Sequence, residues 1–147
     1  MATMKRKEIT QEILNCLNSI PNLRVEYERR QPEDEDELRE NGPLAILLRG
    51  ECERVEVDNA PTSLWSIRWE YKPVIAFFIA DADQDEQREA LEEIEDAFVT
   101  ALAENPRLTE DDLLAMSSEP DCKVVFRYPD EAPIGGMEIF LNLTYDR

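Results

Sequence analysis

The chain reads as an α+β domain: two main helices on one face of a mixed, largely antiparallel sheet, in the order α-β-β-β-α-(short α)-β-β. Three observations predict it. Apolar side chains recur at helical spacing in two separated stretches, 4–19 and 83–104. Between and after those stretches apolar and polar residues alternate one by one, the mark of half-buried strands. A chain of 147 residues, 42% of them hydrophobic, can bury about 68–70% of its extended surface in one core. No internal repeat or linker divides it, so residues 1–147 are expected to form one domain.

The first helix is predicted over 4–19, where Ile9, Ile13, Cys16, Leu17 and Ile20 share one face and Pro21 ends the run. Arg24–Arg29 alternates, with Val25 and Tyr27 on one side, and reads as a short strand. Gln31–Gly42 is polar and acidic, bounded by Pro32 and Gly42, and is predicted to be an exposed loop. Leu44–Leu48 is apolar throughout and too short for a helix, which predicts a buried strand; Gly50 suggests a bulge, with Val55 and Val57 beyond it. After a turn cluster at Asn59–Thr62, Trp65, Ile67, Trp69 and Tyr71 alternate with polar residues, and Val74–Ala80 continues the strand past Pro73, which predicts an edge or a kink.

The second helix is predicted over Asp83–Glu104. Ala90, Leu91, Ile94, Ala97, Phe98, Ala101 and Leu102 form its apolar stripe, Asp83 and Glu86 resemble a capping box, and Asn105-Pro106 ends it. Thr109 suits the cap of a short helix over Glu110–Met116, with acids in its first turn. Val124, Phe126 and Tyr128 then alternate, a loop is predicted from Pro129 to Gly136 with Gly135-Gly136 as its turn, and the strand Met137–Tyr145 closes a hairpin. Strand runs with two amphipathic helices suggest helices segregated to one face of the sheet.

The formal charge is −18, and it is patterned. Glu33–Glu40 holds six acids against Arg39, and Asp81–Glu104 holds ten against Arg88, so two segments carry −14. Such a field repels phosphate backbones, which a nucleic-acid binder must neutralise with Lys and Arg. Trp65 and Trp69 are therefore read as core rather than as a stacking platform for bases. The longest apolar run, Val74–Ala80, has seven residues, against about 20 for a membrane span. No apolar stretch follows Lys5-Arg6-Lys7, so no signal peptide is expected. Cys16, Cys52 and Cys122 are far apart with no CxxC pair, which predicts reduced thiols rather than disulfides or a zinc site.

Catalytic patterns are sparse. The sequence has no histidine, which excludes Ser-His and Cys-His nucleophile systems, and its four glycines form no phosphate loop. Paired-carboxylate chemistry needs one acid in an apolar pocket, whereas the acid clusters fall in a loop or on a helix's outer face. The run Glu33, Asp34, Glu35, Asp36, Glu37 lacks the ligand alternation and central Gly of a calcium loop, leaving diffuse cation attraction or a solvated loop. We expect no enzyme, cofactor or bound metal. Lys5, Arg6 and Lys7 sit at a helix N-terminus, where positive charge is unfavourable. Two readings stand: contact with acids on this chain or a neighbour, or a solvated helix end.

Read in order, Met4-Lys5 with Glu8, Ile13-Leu14 and Leu17, Asp36-Glu37 before Pro43-Leu44-Ala45, Leu48 with Gly50, Ile67 and Glu70, Asn105-Pro106 with Leu108 and Leu113, and the final Leu143-Thr144-Tyr145 span nearly the whole chain. In these residues it resembles the tail terminator (tail completion, minor tail protein U) family of long-tailed bacteriophages. The resemblance implies an α+β subunit without an active site that forms a hexameric ring. The ring would cap the growing tail tube, stop its polymerisation and offer the head its attachment surface. Its implied partners are further copies of itself, the tail tube protein and the head–tail connector, with no sequence-specific nucleic-acid binding and no membrane; its implied location is the host bacterial cytoplasm during assembly and then the virion tail. The chain departs from the family in a longer acidic segment at 31–41 and extra length around Asn105–Asp121, so no family interface residue is transferred.

Two other classes share some of these features. Type III secretion chaperones are small acidic α/β dimers, but usually end in a helix where this chain has the strand Met137–Tyr145. Acidic DNA mimics space carboxylates along helix faces, as the second helix does. Among candidate contact residues the basic set is Lys5, Arg6, Lys7, Arg29 and Arg30; the acidic set is Glu33, Asp34, Glu35, Asp36 and Glu37 with Glu89, Glu92, Glu93 and Asp96 on the second helix. If the basic cluster meets a neighbour's acids, changing Lys5, Arg6 and Lys7 to Glu impairs assembly; rings that form unchanged on native mass spectrometry would refute the pairing.

Overall fold

The computed structural model of the chain describes residues 5–28, 35–55, 68–80, 84–105, 108, 121–127 and 134–146. Its elements are α1 (Lys5–Asn18), β1 (Arg24–Tyr27), α2 (Glu35–Asn41), β2 (Leu44–Val55), β3 (Arg68–Ala80), α3 (Gln84–Glu104), β4 (Asp121–Arg127) and β5 (Ile134–Asp146). The strands form one five-stranded sheet in the order β1-β2-β3-β5-β4. β1 runs parallel to β2, and the other three pairings are antiparallel. The α+β class and the mixed, largely antiparallel sheet are thus present.

The two predicted apolar stripes form the main core. Ile9, Ile13, Cys16, Leu17 and Ile20 are all buried, as are Leu91, Phe98 and Leu102 of α3. They close over one face of the sheet, against Ala45, Leu47, Tyr71, Ile75, Phe77, Met137, Ile139, Leu141 and Leu143. The Phe77 and Phe98 rings meet at a centroid distance of 5.9 Å, tilted by 60°, a geometry aromatic pairs favour. Alternation along β3 and β5 places these residues inward by the two-residue period of a strand.

The acidic segment is not simply a loop. Glu35–Asn41 forms α2, and its one apolar side chain, Leu38, is buried against Leu44 and Ile46 with Phe78, Ala80 and Ile134 around them. These strand residues alternate with those facing α1 and α3, so α2 lies on the opposite face of the sheet. The cause is topological: parallel strands need a crossover connection, not a tight turn. Acids in the first turn suit the helix dipole, and the chain leaves through Gly42, whose N–H donates to Leu38 O at 2.8 Å. Burying Leu38 stabilises this arrangement by about 1.5–3 kcal/mol.

Three further expectations are corrected. β1 stops at Tyr27 rather than Arg29, because Glu28 adopts a left-handed φ of 56°. Pro73 does not lie at an edge: β3 runs through it between β2 and β5. The predicted bulge accommodates it, since register shifts by one residue between Leu48 and Glu51, opposite the position where proline offers no N–H. Gly135 and Gly136 are strand residues paired with Ile79 and Phe78, not a turn. The buried Gln87 of α3 packs so closely that a Cβ on Gly135 would meet its Oε1 at 2.8 Å. The expected turn at Asn59–Thr62, the start of the long strand at Trp65 and Ile67, the Asp83 cap and the short helix at 110–116 lie outside the described residues.

Gly50 has φ +65° and its missing Cβ would fall 1.9 Å from Lys72 O. Gly50→Ala is therefore expected to cost about 2–4 kcal/mol, read from urea unfolding midpoints; a loss below about 0.5 kcal/mol would show that the bulge relaxes freely.

Candidate functional site

Among the described residues, one concavity is lined by cations and by no carboxylate. It has a volume of about 410 Å³ and is bounded by Arg6, Lys7, Thr10, Gln11 and Leu14 of α1, Tyr27 of β1 and Arg49 of β2. Helical spacing puts the α1 residues on one flank; Glu12 and Cys16, on the other flank, face α3 through Asn105 and Ala101. Arg49 is fixed at the rim. Its Nε–H donates to the Tyr27 hydroxyl at 3.1 Å and lies 3.3 Å from Glu28 Oε1. Both members of that ion pair are exposed, so it orients the guanidinium more than it stabilises the fold. Just beneath, the buried Tyr71 hydroxyl shares a 2.9 Å hydrogen bond with Thr10 Oγ1.

The opposing charge lies on α3. Glu89, Glu92, Glu93 and Asp96 are all exposed, opposite the stripe formed by Leu91, Phe98 and Leu102. Val99 is exposed beside them. Glu95, half-buried next to this stripe, binds its proton more tightly than an ordinary carboxylate, chiefly through burial and then through Asp96 and Glu92. The sheet order separates the two surfaces. α1 packs on β1 while α3 packs on β5 and β3, so the concavity flanks α1 on the β1 side and the acidic stripe points away from the sheet.

Of the basic residues read from sequence, Arg6 and Lys7 come together in the concavity, and Lys5 begins α1. Arg29, Arg30, Glu33 and Asp34 lie outside the described residues. Glu35, Asp36 and Glu37 open α2 rather than a loop, with Asp36 and Glu37 exposed. Arg49 and Tyr27 complete the basic surface and were not singled out from sequence. No local pattern marks them, because 6, 27 and 49 meet only through the β1–β2 pairing and the packing of α1 on β1.

A second, shallow groove of about 490 Å³ runs between α1 and the end of α3, lined by Glu12, Asn15, Cys16, Ser19, Glu104 and Asn105 among others. Asn105 Nδ2 donates to Glu12 Oε2 at 2.9 Å and to Cys16 Sγ at 3.5 Å. Burial raises the Cys16 pKa; the Asn105 bond lowers it and Glu12 raises it again. A thiol so protonated is a poor nucleophile, and the cluster reads as a helix–helix staple. Among the described residues no three Cys, Asp or Glu side chains gather as metal ligands, and no helix is long and apolar enough to cross a membrane.

Comparison with models of known protein families and with curated protein sequences finds no match.

The alkaline pH response of the fold follows from two buried acids. Burial is the main cause raising the pKa of Tyr71 above 10.0 and that of Cys16 above 9.0. Once unfolded, both release their protons near those ordinary values, so from about pH 9 upward the unfolded chain binds fewer protons and stability falls with rising pH. Their contribution is complete below about pH 9. Tyr71→Phe is expected to cost about 0.5–1.5 kcal/mol at neutral pH and to flatten the alkaline decline, as measured by urea unfolding across pH. An unchanged slope would refute this role for Tyr71.

Proposed function

We propose that the chain is a structural, non-enzymatic subunit of a phage or prophage tail, a tail terminator that assembles into a ring on the tail tube. As such it ends tube polymerisation and presents a surface to the head–tail connector. The observation that carries the reading is the segregation of charge on a small α+β subunit: a basic concavity on one flank and an acidic helix face directed elsewhere. Surfaces that differ and complement one another suit heterologous, head-to-tail contacts, which close into rings when the rotation allows. The ordered resemblance from Met4 to Tyr145 supports the same reading. The net charge of −18 suits a channel that DNA traverses without adhering, by like-charge repulsion.

Native mass spectrometry tests this. A homohexamer is expected. A stable dimer would favour a secretion-chaperone role instead, and tight inhibition of a nucleic-acid enzyme by a monomer would favour a DNA mimic, for which the exposed acids of α3 supply the relevant surface.

A further inference from the structure

We infer that the concavity of Arg6, Lys7, Arg49 and Tyr27 is the docking site for the acidic face of α3 from a second copy of this chain. The inference rests on the reading of the protein as a self-assembling subunit and adds which two surfaces meet. Three cations line the concavity, one of them, Arg49, paired at the rim with Glu28, while Glu89, Glu92, Glu93 and Asp96 stand together on an exposed helix face. In a chain of charge −18, a concave surface of the opposite sign is the unusual feature. Complementary potentials of this kind select and orient partners.

Dimensions agree with the charges. Glu89 to Asp96 rises about 10 Å along the helix, two turns whose side chains point the same way. The concavity, about 410 Å³, is too small to hold a helix. It accepts the carboxylate ends while the helix backbone rides on the rim. Apolar groups flank both partners: Val99 is 38% exposed beyond Asp96, and Tyr27 is 41% exposed on the rim. Their contact would shield the ion pairs from water.

Placement decides the occupant in favour of a second copy. α1 packs its far flank on α3, so the concavity and the acidic stripe of one chain face away from each other. Within a subunit Glu28 pairs with Arg49 at the rim, while the α3 acids lie on another surface, so each subunit offers one donor face and one acceptor face. The α3 face also carries its own like-charge repulsion, and the Glu95 carboxyl is pushed above the ordinary carboxylate range, by burial first and then by Asp96 and Glu92. A neighbour's guanidinium groups would relieve that repulsion.

The test is charge inversion with mixing. Variant one carries Arg6→Glu and Arg49→Glu; variant two carries Glu92→Lys and Asp96→Lys. All four side chains are exposed, and circular dichroism checks that each variant folds. Sedimentation at about 0.05 M and about 0.5 M salt reads self-association. Each variant alone is expected to associate at least about tenfold more weakly than the unmodified chain. An equimolar mixture is expected to recover assembly, because acidic concavities then meet basic helices and the reverse, in strict alternation. The milder pair Arg6→Gln and Arg49→Gln is expected to lose less than the inversion.

Hexamers unaffected by either inversion, or failure of the mixture to recover, would overturn the docking and leave the ring standing. Charge-dependent association with another stoichiometry would keep the docking and overturn the ring. An unmodified chain that stays monomeric overturns both. If that monomer instead binds a Glu-rich helical peptide through Arg6 and Arg49, the occupant is a different acidic protein and the second copy is refuted.

Discussion

Two parallel strands cannot be joined by a tight turn, because the chain must return the full length of the first strand before it begins the second. β1 and β2 are parallel neighbours at one side of the sheet, and much of the molecule follows from that requirement. The return path is the acidic segment. To cross, it must pass over a face of the sheet, and α2 does so on the face that α1 and α3 leave open, held by Leu38. β1 is thereby left at the border with α1 above it. Tyr27 and Arg49 arrive beside Arg6 through the same pairing, and Glu28 N–H extends the contact by donating to Leu47 O at 2.8 Å. One strand pairing therefore sets the position of an acidic helix and the existence of a basic concavity.

What the sequence made legible is what periodicity controls. α1, α3 and the inward residues of β3 and β5 follow from apolar spacing, because each buries a full stripe against a common core. The bulge at Gly50 was legible because a glycine inside a continuing strand pattern marks a bulge or a close backbone approach, and here it marks both. α2 was hidden: it has seven residues and a single core side chain, so no period exists to detect. The Gly135-Gly136 pair carried a turn signal that lost to packing, since Gln87 needs the room that a side chain would fill. The acidic face of α3 could be read from helical spacing, but the concavity could not, because its members lie on three elements brought together by tertiary pairing.

The charge distribution and the fold are compatible for a simple reason: among the described residues no acidic residue is fully buried. Most acids of α3 stand exposed, and Gln87 is the one polar residue buried among the described positions. Glu95 is one of several part-buried glutamates, and its tightened hold on a proton reflects burial first and like charge second. Self-repulsion on such a surface lowers stability at low ionic strength and is reduced by salt. The same screening would weaken attraction between copies, so folding and association respond to salt in opposite directions.

The bulge in β2 has a consequence for which side chains meet water. Before it, Ala45 and Leu47 face the helices; beyond it, Cys52 packs on that core while Glu51 and Glu53 are exposed. The inward set thus changes from odd to even positions, because one additional residue inverts the phase of an alternating strand. An uninterrupted β2 in the same register would have turned Glu51 and Glu53 toward the hydrophobic layer, where an unpaired carboxylate costs several kcal/mol. The inserted residue also leaves Arg49 on the helix side, within reach of Tyr27. A single irregularity in strand counting thus keeps two acids wet and aims one cation at the α1 surface.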